Sequence, residues 1–151
     1  MEKLTMMKIE NVEDFPGYID KQNSYWRQDL IESIESNEPF FYIFALVEKR
    51  VVGLAIFRII NDMECLYGSL RVMEDMRRKG IAQKIIEASS EDLRTKGIKK
   101  LTAYINKDNI ASLNLHKKLL FQLSENQEYR KALNGNVFWQ PEENIAYDIT
   151  L

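Results

Sequence analysis

Arg77-Arg78-Lys79-Gly80-Ile81-Ala82 follows an apolar, strand-like segment and opens a helix-like one. Cations at a helix start oppose the macrodipole, which favours negative charge there. The basic side chains at that end therefore do nothing for stability by themselves. They fit a phosphate seated between the first-turn N–H groups and the cations. Gly80 and Ala82 keep the turn free of bulk, so an anion can approach the backbone closely. The competing reading is a solvated loop that is basic by accident, and the hexapeptide alone does not separate the two.

The flanking sequence gives this turn its setting. Before it, Met63 to Val72 alternates at Leu66, Gly68, Leu70 and Val72 as a strand, and Gly68 marks a bulge or a close backbone approach. Phe40 to Val47 and Val51 to Ile60 predict an antiparallel hairpin around Glu48-Lys49-Arg50. Further upstream, Lys8-Ile9-Glu10 reads as a short strand and Pro16-Gly17 as a loop or broken helix. A helix capped by Ser24 carries Tyr25, Trp26, Leu30, Ile31 and Ile34 on one face. After the turn, Ile81 to Lys96 is a helix with Ala82, Ile85, Ile86, Ser89 and Leu93 as its buried stripe and Gly97 as its C-terminal cap. Leu101, Ala103 and Ile105 alternate along a strand. Asp108 or Asn109 caps a helix with Ala111, Leu115 and Leu119 on one stripe. Phe121 and Leu123 begin another strand, Asn134-Gly135-Asn136 is a turn, and Val137-Phe138-Trp139 and Ile145 to Leu151 are closing strands. A strand meander followed by strand-helix-strand-helix-strand predicts an α/β (α+β) fold: one central mixed sheet of about six to seven strands with helices on both faces.

Composition bounds the function. With 151 residues, 45% hydrophobic and 29% charged, the chain reads as a single domain over 1–151. A net charge of −2 gives no overall basic footprint for nucleic acid. The local cluster of Arg77, Arg78, Lys79 and Lys84 then serves something small, or nothing. Cys65 is the one cysteine and His116 the one histidine, which excludes an intramolecular disulfide, disfavours a metal centre and suits a reducing, cytoplasmic compartment. The first residues lack a signal-peptide core, and the longest apolar run, Phe40 to Val47, is too short to span a bilayer.

Val72-Met73-Glu74-Asp75-Met76-Arg77-Arg78-Lys79-Gly80-Ile81-Ala82 resembles the acyl-CoA pyrophosphate loop of the GNAT N-acetyltransferases. Asn109-Ile110-Ala111-Ser112-Leu113-Asn114-Leu115-His116-Lys117-Lys118-Leu119-Leu120-Phe121 resembles the second signature of that family. The two together, in this order and spacing, are a strong signal. The resemblance covers most of the chain and fades in residues 1–38 and 122–151. It implies a mostly antiparallel, twisted sheet (the acyl-CoA N-acyltransferase fold) and acetyl transfer from acetyl-CoA to a primary amine, without a metal. The acceptor is a small-molecule amine or a protein amino group, and the closing strands are expected to support a homodimer. By the same resemblance the cofactor-binding residues are Arg77, Arg78, Lys79, Gly80, Ile81, Ala82 and Gln83 around the pyrophosphate, with Asn109, Ser112 and Lys118 from the second motif. Asn109 meets the pantetheine arm, caps its helix, or does both.

The chemistry of such a site can be argued separately. Acetyl transfer to an amine passes through a tetrahedral oxyanion, which backbone N–H groups of Leu70, Arg71 and Val72 are placed to stabilise. The leaving thiolate needs a proton. His116 stands where many family members have Tyr, and its ordinary pKa of about 6.5 suits a general acid. The alternative is a half-buried helix residue beside Leu113 and Leu120. Glu64 and Tyr104 are the candidates for the general base. Glu64 also reads as a solvated strand-end charge, and Tyr104 as a residue facing a helix or the substrate cleft. Cys65 has no neighbour to lower its pKa and reads as a buried structural thiol rather than an acyl carrier. Tyr25, Trp26, Phe138 and Trp139 lie where the family builds its acceptor pocket, and as aromatics fit a core equally well. Leu120 replaces the usual glycine before Phe121, which predicts a different helix exit. A CoA-binding regulatory or interaction module without catalysis is the rival reading.

Overall fold

The computed structural model describes residues 3–15, 30, 33, 39–130, 132 and 144–151. The Pro16-Gly17 loop, the helix from Ser24 except Leu30 and Ser33, the Asn134-Gly135-Asn136 turn and the Val137-Phe138-Trp139 strand lie outside the described residues.

The strands are β1 (Leu4–Ile9), β2 (Phe40–Val47), β3 (Arg50–Ile59), β4 (Glu64–Val72), β5 (Lys100–Asn106), β6 (Gln122–Leu123) and β7 (Asn144–Thr150), and the helices α1 (Ile81–Thr95) and α2 (Ile110–Lys118). They form one mixed seven-stranded sheet in the order β1-β2-β3-β4-β5-β7-β6. The β4–β5 pair is parallel, while β1–β2, β2–β3, β5–β7 and β6–β7 are antiparallel. Contacts gather the chain into two compact units, Met1–Arg58 with Ser69–Ser89 and Ile59–Gly68 with Ser90–Leu151.

In the first unit, β2 is apolar at nearly every position and is buried from Phe40 through Leu46, the pattern of a strand covered on both faces. Phe41 stacks on Phe57 at 4.8 Å, and Phe15 meets Tyr42 and Phe44 edge-on. β1 starts earlier than the sequence predicts, at Leu4. In the hairpin, Ala45 pairs with Gly53 but Leu46 with Val51, so Val52 is an extra residue on β3. Such a bulge re-aims the backbone, and the Val52 carbonyl accepts the N–H of Met73, just past the end of β4, at 2.9 Å. Gly53 lets α1 settle close: a Cβ there would lie 2.9 Å from Ile85 Cδ1 and 3.3 Å from Ala45 Cβ. Ile81, Ile85 and Ile86 are buried, which seats the start of α1 firmly.

In the second unit, the β4–β5 ladder runs from Glu64↔Lys100 to Tyr67↔Ala103, although β4 continues to Val72. β5 pairs with β7 along its whole length. Leu101, Ala103 and Ile105 are buried as their alternation predicts, and Thr102 is buried on the other face. At the end of α1, Gly97 has φ +81°, with Ile98 N–H donating to Leu93 and Gly97 N–H to Arg94. This is a Schellman turn, with the glycine in the left-handed region. The end of α2 corrects the sequence expectation. Leu120 adopts φ +71° and makes the same turn, with Phe121 N–H donating to His116 and Leu120 N–H to Lys117. The exit is that of a glycine, held by a leucine 76% exposed. The expected α2 stripe is also corrected: Ala111 is exposed, and the buried residue of the helix is His116.

Candidate functional site

The basic turn belongs to the first unit. A short 3-10 segment, Glu74–Met76, follows β4. Asp75 is tied to Arg50 by two hydrogen bonds of 2.7 and 2.9 Å, which hold its carboxyl below the usual range. Arg77 Nε donates back to the Val72 carbonyl at 3.1 Å, and Lys79 Nζ lies 3.7 Å from Met76 Sδ. Arg78 has φ +64° and Gly80 φ +78°, two left-handed residues that bend the chain sharply into α1. Arg77, Arg78, Lys79, Gly80 and Lys84 are exposed, whereas Ile81 is buried. Among the described residues the side chains of Arg78 and Lys84 make no hydrogen bond or ion pair. The first N–H satisfied within α1 is that of Lys84, which donates to the Gly80 carbonyl at 3.1 Å. The N–H groups of Ile81, Ala82 and Gln83 precede it and have no partner within the helix. Gly80 has no side chain to cap them. Gln83 spends its amide on Glu87. Leu70, Arg71 and Val72 lie on β4 beyond the last rung of its ladder with β5.

The second unit holds His116, 1% exposed. Its Nδ1 lies 2.7 Å from the Ser112 carbonyl oxygen and 3.3 Å from the Ser112 hydroxyl. A carbonyl only accepts, so Nδ1 carries the proton. Nε2 meets the Tyr67 hydroxyl, and Phe121 packs edge-on against the ring at 4.9 Å. Burial lowers the His116 pKa, opposed by the Ser112 hydrogen bond, so the ring is neutral and Nε2 accepts from Tyr67. Burial pushes the Tyr67 hydroxyl well above its ordinary range. Nothing local in the sequence marks Tyr67, because its partner is 49 residues away.

Glu64 is not a solvated strand end. Its carboxylate accepts from Arg130 Nη2 at 2.6 Å and from Asn61 at 3.1 Å. Burial raises its pKa, but those hydrogen bonds outweigh it and hold the group below its ordinary value. Tyr104 donates to the Arg130 carbonyl at 2.8 Å, and burial raises its pKa. The two base candidates are thus brought together through Arg130, a residue that carries no local signal in the sequence. Asn109 caps α2, its Oδ1 accepting from Ser112 N–H at 3.1 Å. Lys118 is exposed in the last turn. Cys65 is a buried thiol outside any disulfide. Tyr25, Trp26, Phe138 and Trp139 lie outside the described residues. Among the described residues no helix is long and apolar enough to cross a membrane.

A family model described as the acetyltransferase (GNAT) family matches residues 4–121. No curated protein matches. Among solved structures, an IAA acetyltransferase from Bacillus cereus is similar at 15% identity and TM-score 0.69, over 99% of this chain and 100% of that one. A GNAT family acetyltransferase from Elizabethkingia anophelis with acetyl-CoA bound gives 14% identity and TM-score 0.68, over 98% of each chain. PaiA N-acetyltransferase from Thermoplasma acidophilum in complex with coenzyme A gives 12% identity and TM-score 0.61, over 83% of this chain and 69% of that one.

Proposed function

The chain belongs to the GNAT acetyltransferase family, and from that footing we propose that it moves an acetyl group from acetyl-CoA to a primary amine by direct attack. The observation that carries the reading is the start of α1: N–H groups without a cap behind exposed cations. A diphosphate there gains both the N–H donors and the charge. The remote binding of the nucleotide end then positions the thioester. Solved relatives of the same fold hold CoA or acetyl-CoA, which supports the choice of anion. The N–H groups of Leu70, Arg71 and Val72 are read as oxyanion donors. His116, with Tyr67 on Nε2, is read as a proton relay rather than a source: the proton that the attacking nitrogen sheds passes through the pair to the departing thiolate. A cytoplasmic location goes with this reading, since a reducing compartment suits a chain with one cysteine.

One observation favours the rival. Glu64 is held ionised by Arg130, which weakens it as a base, and Tyr104 ionises less readily than a free tyrosine, so neither base candidate is poised to take the amine proton. A CoA-binding module without turnover fits that state. Titration calorimetry with coenzyme A tests the loop, and thiol release from acetyl-CoA with a panel of amines tests the transfer. Binding together with release supports the enzyme, and binding without release across a broad panel supports the module. No binding removes both.

A further inference from the structure

The start of β3 grips the basic turn at two points. The Val52 carbonyl, at the bulge, accepts the N–H of Met73 at 2.9 Å. Arg50, the first residue of β3, reaches both carboxylate oxygens of Asp75 at 2.7 and 2.9 Å. This is the bidentate fork that fixes geometry as well as charge. The two side chains are 50% and 59% exposed, and an ion pair so exposed contributes little to stability. Its place in the chain gives it another use. Asp75 lies just before Arg77, Arg78 and Lys79, which stand exposed at the start of α1. A carboxylate there subtracts from the field that draws an anion to the turn. Asp75 feels two cations, Arg50 strongly and Lys79 more weakly. Lys79 Nζ rests 3.7 Å from the Met76 sulfur, a weak acceptor that a carboxylate readily replaces. Without Arg50, Asp75 would therefore turn to Lys79 and quench a cation of the turn.

We propose that Arg50 is a positioning residue for the anion site: it occupies the Asp75 carboxylate and so keeps Lys79 available to the diphosphate of coenzyme A. The proposal rests on the coenzyme A reading of the turn and adds to it a residue outside both family motifs. Arg50 acts only through Asp75, so it is needed only while that carboxylate is present.

Calorimetry with coenzyme A on three variants tests it, each compared with the wild-type chain. Arg50→Gln is expected to weaken binding about fivefold. Asp75→Asn is expected to bind at least as tightly as wild type. Arg50→Gln with Asp75→Asn is expected to return to within about twofold of wild type, a rescue that a merely structural pair would not give. The hand-over of Asp75 is read without ligand from the Lys79 side-chain ammonium resonance, which is expected to shift in Arg50→Gln and to return in the double variant. Wild-type affinity in Arg50→Gln overturns the proposal and leaves the coenzyme A reading standing, as does a double variant as weak as Arg50→Gln. An unmoved Lys79 resonance in Arg50→Gln overturns it whatever the affinities. No binding by the wild-type chain removes the coenzyme A reading and this role of Arg50 with it.

Discussion

The two helices that carry the family motifs begin in opposite ways. α2 closes its own start: Asn109 accepts the Ser112 N–H, and Asp108 N–H is taken by Asn106 Oδ1 at 2.8 Å. α1 leaves its start open, with Gly80 at the cap position and Arg77, Arg78, Lys79 and Lys84 exposed around it. A helix start that serves stability supplies an acceptor side chain and avoids cations. One that does neither leaves its donors to water or to a bound anion. The contrast explains why the α1 motif points to a ligand, whereas Asn109 in the α2 motif is already accounted for by capping.

The strongest way to break this contrast is to remove charge from the open start. Arg78→Gln with Lys79→Gln is expected to cost about 3 kcal/mol of coenzyme A binding, on the order of 100-fold. Calorimetry measures it. Both residues are exposed, so thermal stability should hold or rise slightly as the helix dipole loses its like charges. Wild-type affinity in that variant would return the turn to a solvated, accidentally basic loop.

The second test concerns the buried end of α2. His116→Phe is expected to lower kcat at least about tenfold while leaving coenzyme A affinity within about threefold. The same residue predicts a pH dependence of stability. Burial depresses its folded pKa below the ordinary 6.5, so below that value the unfolded chain binds the proton more readily than the folded one. Stability therefore falls as pH drops below about 6.5 and is fully present above it. His116→Phe should remove that component, as urea midpoints at pH 7.5 and 5.5 would show. An unchanged pH slope would mean that the imidazole is solvated.

Much of this was legible in the sequence, for identifiable reasons. β2 and β3 are strong because their apolar runs are of strand length and flank a polar turn. α1 is strong because its apolar residues recur at helical spacing and Gly97 ends it. The loop was legible because its residues lie side by side in the chain. The Tyr67–His116 and Glu64–Arg130 pairs were not, since each joins positions 49 and 66 residues apart, and nothing local in either partner encodes the other. The bulge at Val52 shows the same limit: a branched residue there gives no local signal.

The capped start gives a smaller effect. Asn109→Ala removes the acceptor for the Ser112 N–H and is expected to cost about 1 kcal/mol of stability, read as a lower denaturant midpoint. If capping is its whole role, coenzyme A affinity stays within about twofold. A larger loss of affinity would give Asn109 a second partner and narrow the difference between the two helix starts.

The smallest effect is expected where the helices leave rather than enter. Both exits are Schellman turns, one on Gly97 and one on Leu120. A left-handed backbone costs a side chain about 1–2 kcal/mol that glycine avoids, while glycine's freedom in the unfolded chain returns about 0.5–1 kcal/mol of that. Leu120 is largely exposed, so its removal gives up little buried area. Leu120→Gly should therefore stabilise the chain by several tenths of a kcal/mol, a small upward shift of the urea midpoint. Gly97→Ala should shift it the other way by about 1 kcal/mol, since nothing lies within 4 Å of the added Cβ and only the backbone resists. A Leu120→Gly variant less stable than wild type would show that the leucine packs on residues that follow it, and that α2 ends where it does because of that contact rather than despite its side chain.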